Sequence, residues 1–501
     1  MSRFCSAIGI KAMAYTIRRA GPADLDAIAA VEKTCFPPAE AASREAFARR
    51  LAHYPEHFWL MFDGDTLISF VDGFVTDDRD LRDEMFEKAE LHDKNGSWQM
   101  IFGVNTLPQY RGRGCAGRLI RMAIFDAMRQ GRKGLVLTAK QEKVPYYEHF
   151  GFLDEGVSSD SCHGGAVWHQ MRLTFTGRVG LVLFPADGPT RARLTGLSGC
   201  DFLFREDCWS EEEYRWALGQ AELILGEPDN EDFQFCKRLK LMQSPSSGVN
   251  YYVQGGCFPK DAILCCMTGG YGNVLAEHML AMALSLCRRL PEYRDQQKNR
   301  LWRLCKYDKQ LEGSTVLILG AGDIGTTLAK FLRPMVGRII GVRRVSREFP
   351  DCFDEMITMA ELDDRIPEAD LILCALPHTP RTIHLLDEKR LNLMKDDAVL
   401  VNGGRGSLID QDALCRALSR GKFWGVGLEV AYPEPLPEDS PLWDQPRLII
   451  TPHAAGNSFA PGSPLERKIW DFMTENTARW LRGEPPENRV DFRTGYRITR
   501  I

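Results

Sequence analysis

"TVLILGAGDIGTTLAKFL", Thr315–Leu332, is the stretch whose reading decides the fold of the larger part of this chain. A short apolar run ends in glycines at 320, 322 and 325, and Ile324, Leu328 and Leu332 then recur at helical spacing. That is the order a buried strand, a tight turn and a helix require. Gly320 suits the turn, Gly322 leaves room for a pyrophosphate at the helix N-terminus, and Gly325 lets helix and strand pack closely. The cradle Gly320, Gly322, Asp323, Ile324 and Gly325 is therefore expected to bind a dinucleotide.

The sequence on either side repeats that unit. Apolar strands "TVLILG", "RIIGV", "LILCALP", "AVLVNGG", "WGVGLEV" and "LIITPH" alternate with helical segments, which predicts a parallel, doubly wound α/β sheet. A site for NAD needs an acidic residue at the end of the second strand to hold the ribose 2′-hydroxyl. Arg343 and Arg344 stand there instead. Two guanidiniums suit a 2′-phosphate, so the expected cofactor is NADP rather than NAD.

At 501 residues the chain is long enough for about three domains. It is 44% hydrophobic and 26% charged with net charge −5, a balance that points away from nucleic acid and anionic membranes. No apolar run approaches the ~20 residues that span a bilayer. The opening fifteen residues lack the apolar core of a signal peptide, and patterned sequence begins at Tyr15. Fifteen cysteines are scattered, many inside apolar runs, without spacing for a zinc site. No metal is expected, and a reduced cytoplasmic setting is.

A second glycine-rich device lies far upstream: "QYRGRGCAGRL", Gln109–Leu119. It follows a strand-like "WQMIFGVNTLP" and leads into Leu119, Ile120, Ala123, Ile124 and Ala127 at helical spacing. Gly112 and Gly114 free backbone amides to face an anion at a helix N-terminus. The pattern is Gln-x-x-Gly-x-Gly, a different one from that at 320–325. Arg118 and Arg121, three positions apart, read as a solvated face. Downstream, "AVWHQMRLTF" reads as an edge strand, and "GRVGLVLFP" as the first buried strand of a new α/β unit.

The upstream device resembles the acetyl-CoA signature of the GNAT N-acetyltransferases, over about residues 15–175. "CFPPAEAAS" at 35–43 and "VPYYEHFGF" at 144–152 extend the similarity toward the arylalkylamine-acetyltransferase-like branch. The resemblance implies an α+β domain whose strand at 100–105 splays from its neighbour. It implies acetyl-CoA bound by Gln109, Arg111, Gly112, Arg113, Gly114, Cys115 and Ala116, and Tyr147 as the acid that protonates the departing thiolate. That branch carries a histidine pair as base where this chain has Trp98 and Met100, so the base and the amine are unassigned.

Residues 178–490 resemble the D-isomer-specific 2-hydroxyacid dehydrogenases through "VNGGRGSLID" with Arg405, "EVAYPEPLP" with Glu434 and "ITPHAAG" with His453. Arg405 and Glu434 stand 29 positions apart, as in that family. The resemblance implies that Arg405 grips the keto acid, His453 supplies a proton to the forming alkoxide, and Glu434 fixes the imidazole. Ser247 and Gly248 of "SPSSGVNYY" would bind the substrate carboxylate. Glu429 replaces the family's usual aspartate beside the nicotinamide, which bears on cofactor orientation.

The implied architecture is a GNAT domain at 15–175, a flavodoxin-like substrate lobe at 178–275 completed by 457–490, and a Rossmann lobe at 276–456. The helix 276–290 would bridge the lobes and help build a homodimer. The expected function is NAD(P)H-dependent reduction of a small 2-keto acid to a D-2-hydroxy acid, with acetyl transfer to an amine. A non-catalytic acetyl-CoA sensor in front of a reductase, and a corepressor-like dinucleotide-binding module, stay open as alternatives.

Overall fold

The computed structural model describes residues 15–207, 210–305, 307–344, 349–458 and 461–498. Two units emerge from its contacts. One spans the chain up to Met242 together with 259–262 and 477–485; the other comprises 243–258, 263–476 and 486–501.

The first unit opens with a mixed sheet of β1 (Thr16–Arg19), β2 (Phe58–Asp63), β3 (Thr66–Thr76), β4 (Trp98–Thr106), β5 (Gly134–Ala139), β6 (Leu153–Val157) and β7 (His169–Thr174). Their order is β1-β2-β3-β4-β5-β7-β6. Only β4 and β5 run parallel, and their paired register stops at Ile101 and Leu137 although β4 continues to Thr106. The two strands therefore part where the 100–105 splay was expected. Helices Leu25–Cys35 and Arg44–His53 seal one face with Ile28, Phe47 and Leu51 against Phe58, Phe70 and Phe74. Helix Cys115–Arg129 seals the other, turning Leu119, Ile120, Ala123 and Ala127 inward.

Two expectations fail here. β7 is not an edge: β6 lies outside it, pairing antiparallel across a register shift. Polar, glycine-broken "LDEGV" hides that strand from any hydrophobic pattern. Arg121 is not on a solvated face either, because its Nε donates to the buried Asp207 carboxylate at 2.7 Å. Asp207 follows β9 within a second group of strands: β8 (Val179–Val182), β9 (Asp201–Phe204), β10 (Ala221–Leu225) and β11 (Leu241–Gln243). β8 is flanked in parallel by β10 and β9, as a buried first strand should be.

The second unit holds a short β12 (Ile263–Cys265) and the predicted parallel sheet. Its strands are β13 (Thr315–Leu319), β14 (Arg338–Arg343), β15 (Glu355–Thr358), β16 (Leu371–Cys374), β17 (Val399–Asn402), β18 (Gly425–Leu428) and β19 (Leu448–Ile450). The order β15-β14-β13-β16-β17-β18-β19 runs outward from β13 in both directions, so the winding reverses between β13 and β16. Helix Gly272–Cys287 lies on this sheet with Met279 against Gly403, Leu286 against Gly425 and Met282 against Gly427. It ends before the expected 290 because Arg289 turns left-handed at φ 55° and caps a new helix, Leu290–Lys298. Among the described residues no helix is long and apolar enough to cross a membrane.

Candidate active sites

The turn after β13 leads into helix Asp323–Leu332, whose N-cap is Gly322 with no side-chain cap. Its first amide N–H groups are thus left to whatever anion sits there. Gly325 has no room for more than hydrogen, since a Cβ would stand 2.2 Å from the Gly320 carbonyl oxygen. Gly322 faces open space. Arg343 ends β14, and its Nε donates to the Ala321 carbonyl at 2.7 Å, which places the guanidinium against the cradle. Arg344, the next residue, is exposed. These features fit a nicotinamide dinucleotide held by its pyrophosphate at the winding reversal.

Residues from the carboxyl ends of three further strands come together beside it. Past β17, the Asn402 side chain ties the Gly404 N–H and the Arg405 carbonyl, fixing the turn that presents Arg405. Gly248 packs on that guanidinium so closely that a Cβ would lie 1.6 Å from Nη2. Ser247 Oγ donates to the Met267 carbonyl at 2.7 Å. Past β18 and β19, His453 Nδ1 meets Glu434 Oε2 at 2.8 Å, and the Ala431 N–H donates to the other carboxylate oxygen. Burial raises the Glu434 carboxyl, but the His453 hydrogen bond, reinforced by Ala431 and Arg405, holds it below its ordinary value. Desolvation lowers the Arg405 guanidinium, against the pull of Glu434.

Sequence reasoning named Glu429 without its partners and missed His378 altogether. Glu429, buried at the end of β18, does not stand open: it accepts hydrogen bonds from Thr451 Oγ1 and the Ala455 N–H, and lies 3.0 Å from His278 Nε2. Its backbone carbonyl also accepts the N–H of His453, a residue held at φ 53°. His378 Nδ1 meets Ser407 Oγ at 2.6 Å beside Arg405, and burial followed by that cation lowers its pKa.

The family model for the D-isomer specific 2-hydroxyacid dehydrogenase NAD-binding domain matches residues 280–455. A glyoxylate/hydroxypyruvate reductase B of Pectobacterium carotovorum is 31% identical over 290 residues, covering 55% of this chain and 87% of that protein. The chain belongs to the D-isomer specific 2-hydroxyacid dehydrogenases. A solved member of this family from Aeromonas salmonicida is 32% identical at a TM-score of 0.56, covering 63% of this chain and 99% of that one. Another, from Xanthobacter autotrophicus and solved with NADPH and MES, is 25% identical at a TM-score of 0.53 over 63% of this chain and 99% of that one. Residues 25–152 match the acetyltransferase (GNAT) family model, so this dehydrogenase is fused to a GNAT domain.

In the GNAT domain of this fused dehydrogenase, helix Cys115–Arg129 starts from Gly114 at φ 79°, again with no side-chain cap. A side chain there would be strained, while Gly112 and Gly114 both face open space. A cavity of about 990 Å³ runs from this cradle along the parted β4 and β5. Arg111, Gly112, Gly114, Cys115, Ala116 and Tyr147 line it; Gln109 and Arg113 do not, and Arg113 lies over the Tyr110 ring instead. Tyr147 is 9% exposed, and burial raises its hydroxyl, which stays protonated at neutral pH. Trp98 and Met100 are buried in the sheet core and offer no base. A long cavity beside uncapped amides fits an acyl-CoA.

Proposed function

We propose that the dehydrogenase part reduces a small 2-keto acid to its D-2-hydroxy acid with NADPH, and that the GNAT part transfers acetyl from acetyl-CoA to an amine. The observation that carries the first reading is the 2.8 Å pair of His453 Nδ1 and Glu434, beside Arg405 packed on Gly248. Glu434 accepts the Nδ1 proton, so Nε2 is the nitrogen from which His453 delivers a proton to the developing alkoxide. Arg405 grips the substrate carboxylate and polarises the keto oxygen, with Ser247 and Gly248 closing the carboxylate site. The cradle at 320–325 holds the dinucleotide, which supplies hydride when bound. Arg343 and Arg344 favour NADP through its 2′-phosphate.

The lobes at 178–275 with 457–490 and at 276–456 serve substrate and dinucleotide in this reading, after a GNAT domain at 15–175. A homodimer through the nucleotide-binding lobe and a cytoplasmic location complete it; the described cysteines are all free thiols, in keeping with a reducing compartment.

Steady-state reduction of glyoxylate, hydroxypyruvate and pyruvate with NADPH and with NADH tests the assignment. His453→Ala is expected to lose about 10²–10⁴-fold in kcat. Undiminished turnover of every accepted acid would refute the proton-donor role. A preference for NADH that survives Arg343→Ala and Arg344→Ala rules out the phosphate role.

One observation favours a second reading, in which the GNAT domain reports acetyl-CoA to the reductase. The helix that starts at the CoA cradle carries Arg121, and Arg121 grips Asp207 beyond the GNAT sheet. Acetyl-CoA would then alter the reductase constants with no acetylated product formed.

A further inference from the structure

Acetyl transfer needs an acceptor for the proton of the attacking ammonium, and the strand positions where a base was sought carry Trp98 and Met100, both in the core. The same cavity that Tyr147 lines has an acidic end. Glu32, on helix Leu25–Cys35, and Asp72, on β3, both line it, and Glu32 is only 5% exposed. Between them the charges do not balance. Arg50, from helix Arg44–His53, gives Nη1 to Asp72 at 2.8 Å and Nη2 to the Phe86 carbonyl at 2.7 Å. Glu32 is left with two neutral donors, the Ala42 N–H at 3.0 Å and Asn105 Nδ2 at 2.9 Å. Two buried carboxylates share one guanidinium, so the site is short of one positive charge. A proton on Glu32 supplies it, and so does an ammonium group in the cavity.

We propose that Glu32 is the general base of the acyl transfer, receiving the proton of a substrate ammonium drawn to the acidic end of the cavity. The proposal rests on the acetyl-transfer reading above. The ammonium gives one proton to the Glu32 carboxylate, and the neutral nitrogen attacks the thioester carbonyl. The new N–C bond forms and the C–S bond breaks; Tyr147 protonates the leaving thiolate and recovers a proton from the acylated nitrogen. Glu32 later returns its proton to solvent, so the net products are amide, free CoA thiol and one proton. Burial first, then the charge of Asp72, pushes the Glu32 carboxyl up to about 7 against the opposing pull of Ala42, Arg50 and Asn105, which suits a base working near neutrality.

The test uses the full chain, acetyl-CoA and a panel of primary amines, reading thiol release and the acetylated product by mass as a function of pH. The wild type is expected to gain kcat/KM through a limb near pH 7. Glu32→Gln should lower kcat/KM by about 10²–10⁴-fold and erase that limb. Its thermal shifts with acetyl-CoA and with NADPH should match the wild type, reporting an intact fold and intact cradles. Glu32→Gln with near-wild-type rates and the same limb would overturn the assignment and leave acetyl transfer standing. A wild type that acetylates no amine, yet is stabilised by acetyl-CoA, would overturn the acetyl-transfer reading and the base with it. If Glu32→Gln loses its thermal shifts, Glu32→Asp decides: a displaced limb supports Glu32 as base, and an unchanged profile overturns it.

Discussion

A single carboxyl that holds its proton to about pH 7 when folded, and only to its ordinary value when unfolded, makes stability depend on pH. Between those values the folded chain binds more protons than the unfolded one. Stability therefore falls as pH rises through the window, and above pH 7 the deficit stays at its full size, about 3 kcal/mol as an upper figure. Glu32→Gln removes this contribution, while the buried Asp72–Arg50 pair remains in both proteins. The expected outcome is that the variant's unfolding midpoint gains on the wild type from pH 5 to about pH 7 and then holds its lead to pH 8. Midpoints that run in parallel across that range would mean that Glu32 titrates near the ordinary carboxyl value.

At the scale of elements, each site is a turn at the end of a strand, and Glu429 shows how such a turn is held. Its carboxylate reaches Thr451 and the Ala455 N–H on either side of His453, while its carbonyl takes the His453 N–H. Glu429→Asp, one methylene shorter, is expected to lower reductase kcat about 10–100-fold through misplacement of the imidazole, with the NADPH KM little changed. A raised NADPH KM at intact kcat would instead put Glu429 against the nicotinamide. That turn was only half legible in the sequence. β13, β14, β16, β17 and β18 announce themselves because a central parallel strand is apolar on both faces, and β19, at one edge, is legible from its own apolar run. β15, "EMIT", sits at the sheet edge and needs no such run, so no pattern marks it. His453, Glu434 and Arg405 were readable from their motifs, whereas the partners of Glu429 come from Gly272–Cys287 and from beyond β19. Glu32 was invisible for a similar reason: in "VEKTCF" nothing local separates an acid facing a cavity from one facing water, and its neighbours arrive from 42, 72 and 105.

For the whole molecule, the fusion joins two candidate anion sites built alike, an uncapped helix N-terminus after a glycine turn, yet framed by unrelated sheets. The remaining apolar surface bears on assembly. Scattered exposed apolar side chains are ordinary, but Leu301, Trp302, Leu304 and Tyr307 lie within seven positions, with Trp302 at 104% and Leu304 at 87% exposure. They follow helix Leu290–Lys298, the next helix after the one packed on β17 and β18. Aromatic side chains bury roughly 150–250 Å² each, so this stretch alone supplies a large share of the ~800 Å² per partner of a standard interface. A symmetric dimer presents the same patch twice, which is the simplest way to cover it. Trp302→Asp combined with Leu304→Asp is therefore expected to convert a sedimenting dimer into a monomer at micromolar concentration. NADPH should still raise its unfolding midpoint, because the 320–325 cradle lies elsewhere on the chain. A wild-type chain that sediments as a monomer at the same concentration would remove the argument, and a double variant that remains dimeric would move the interface to another face.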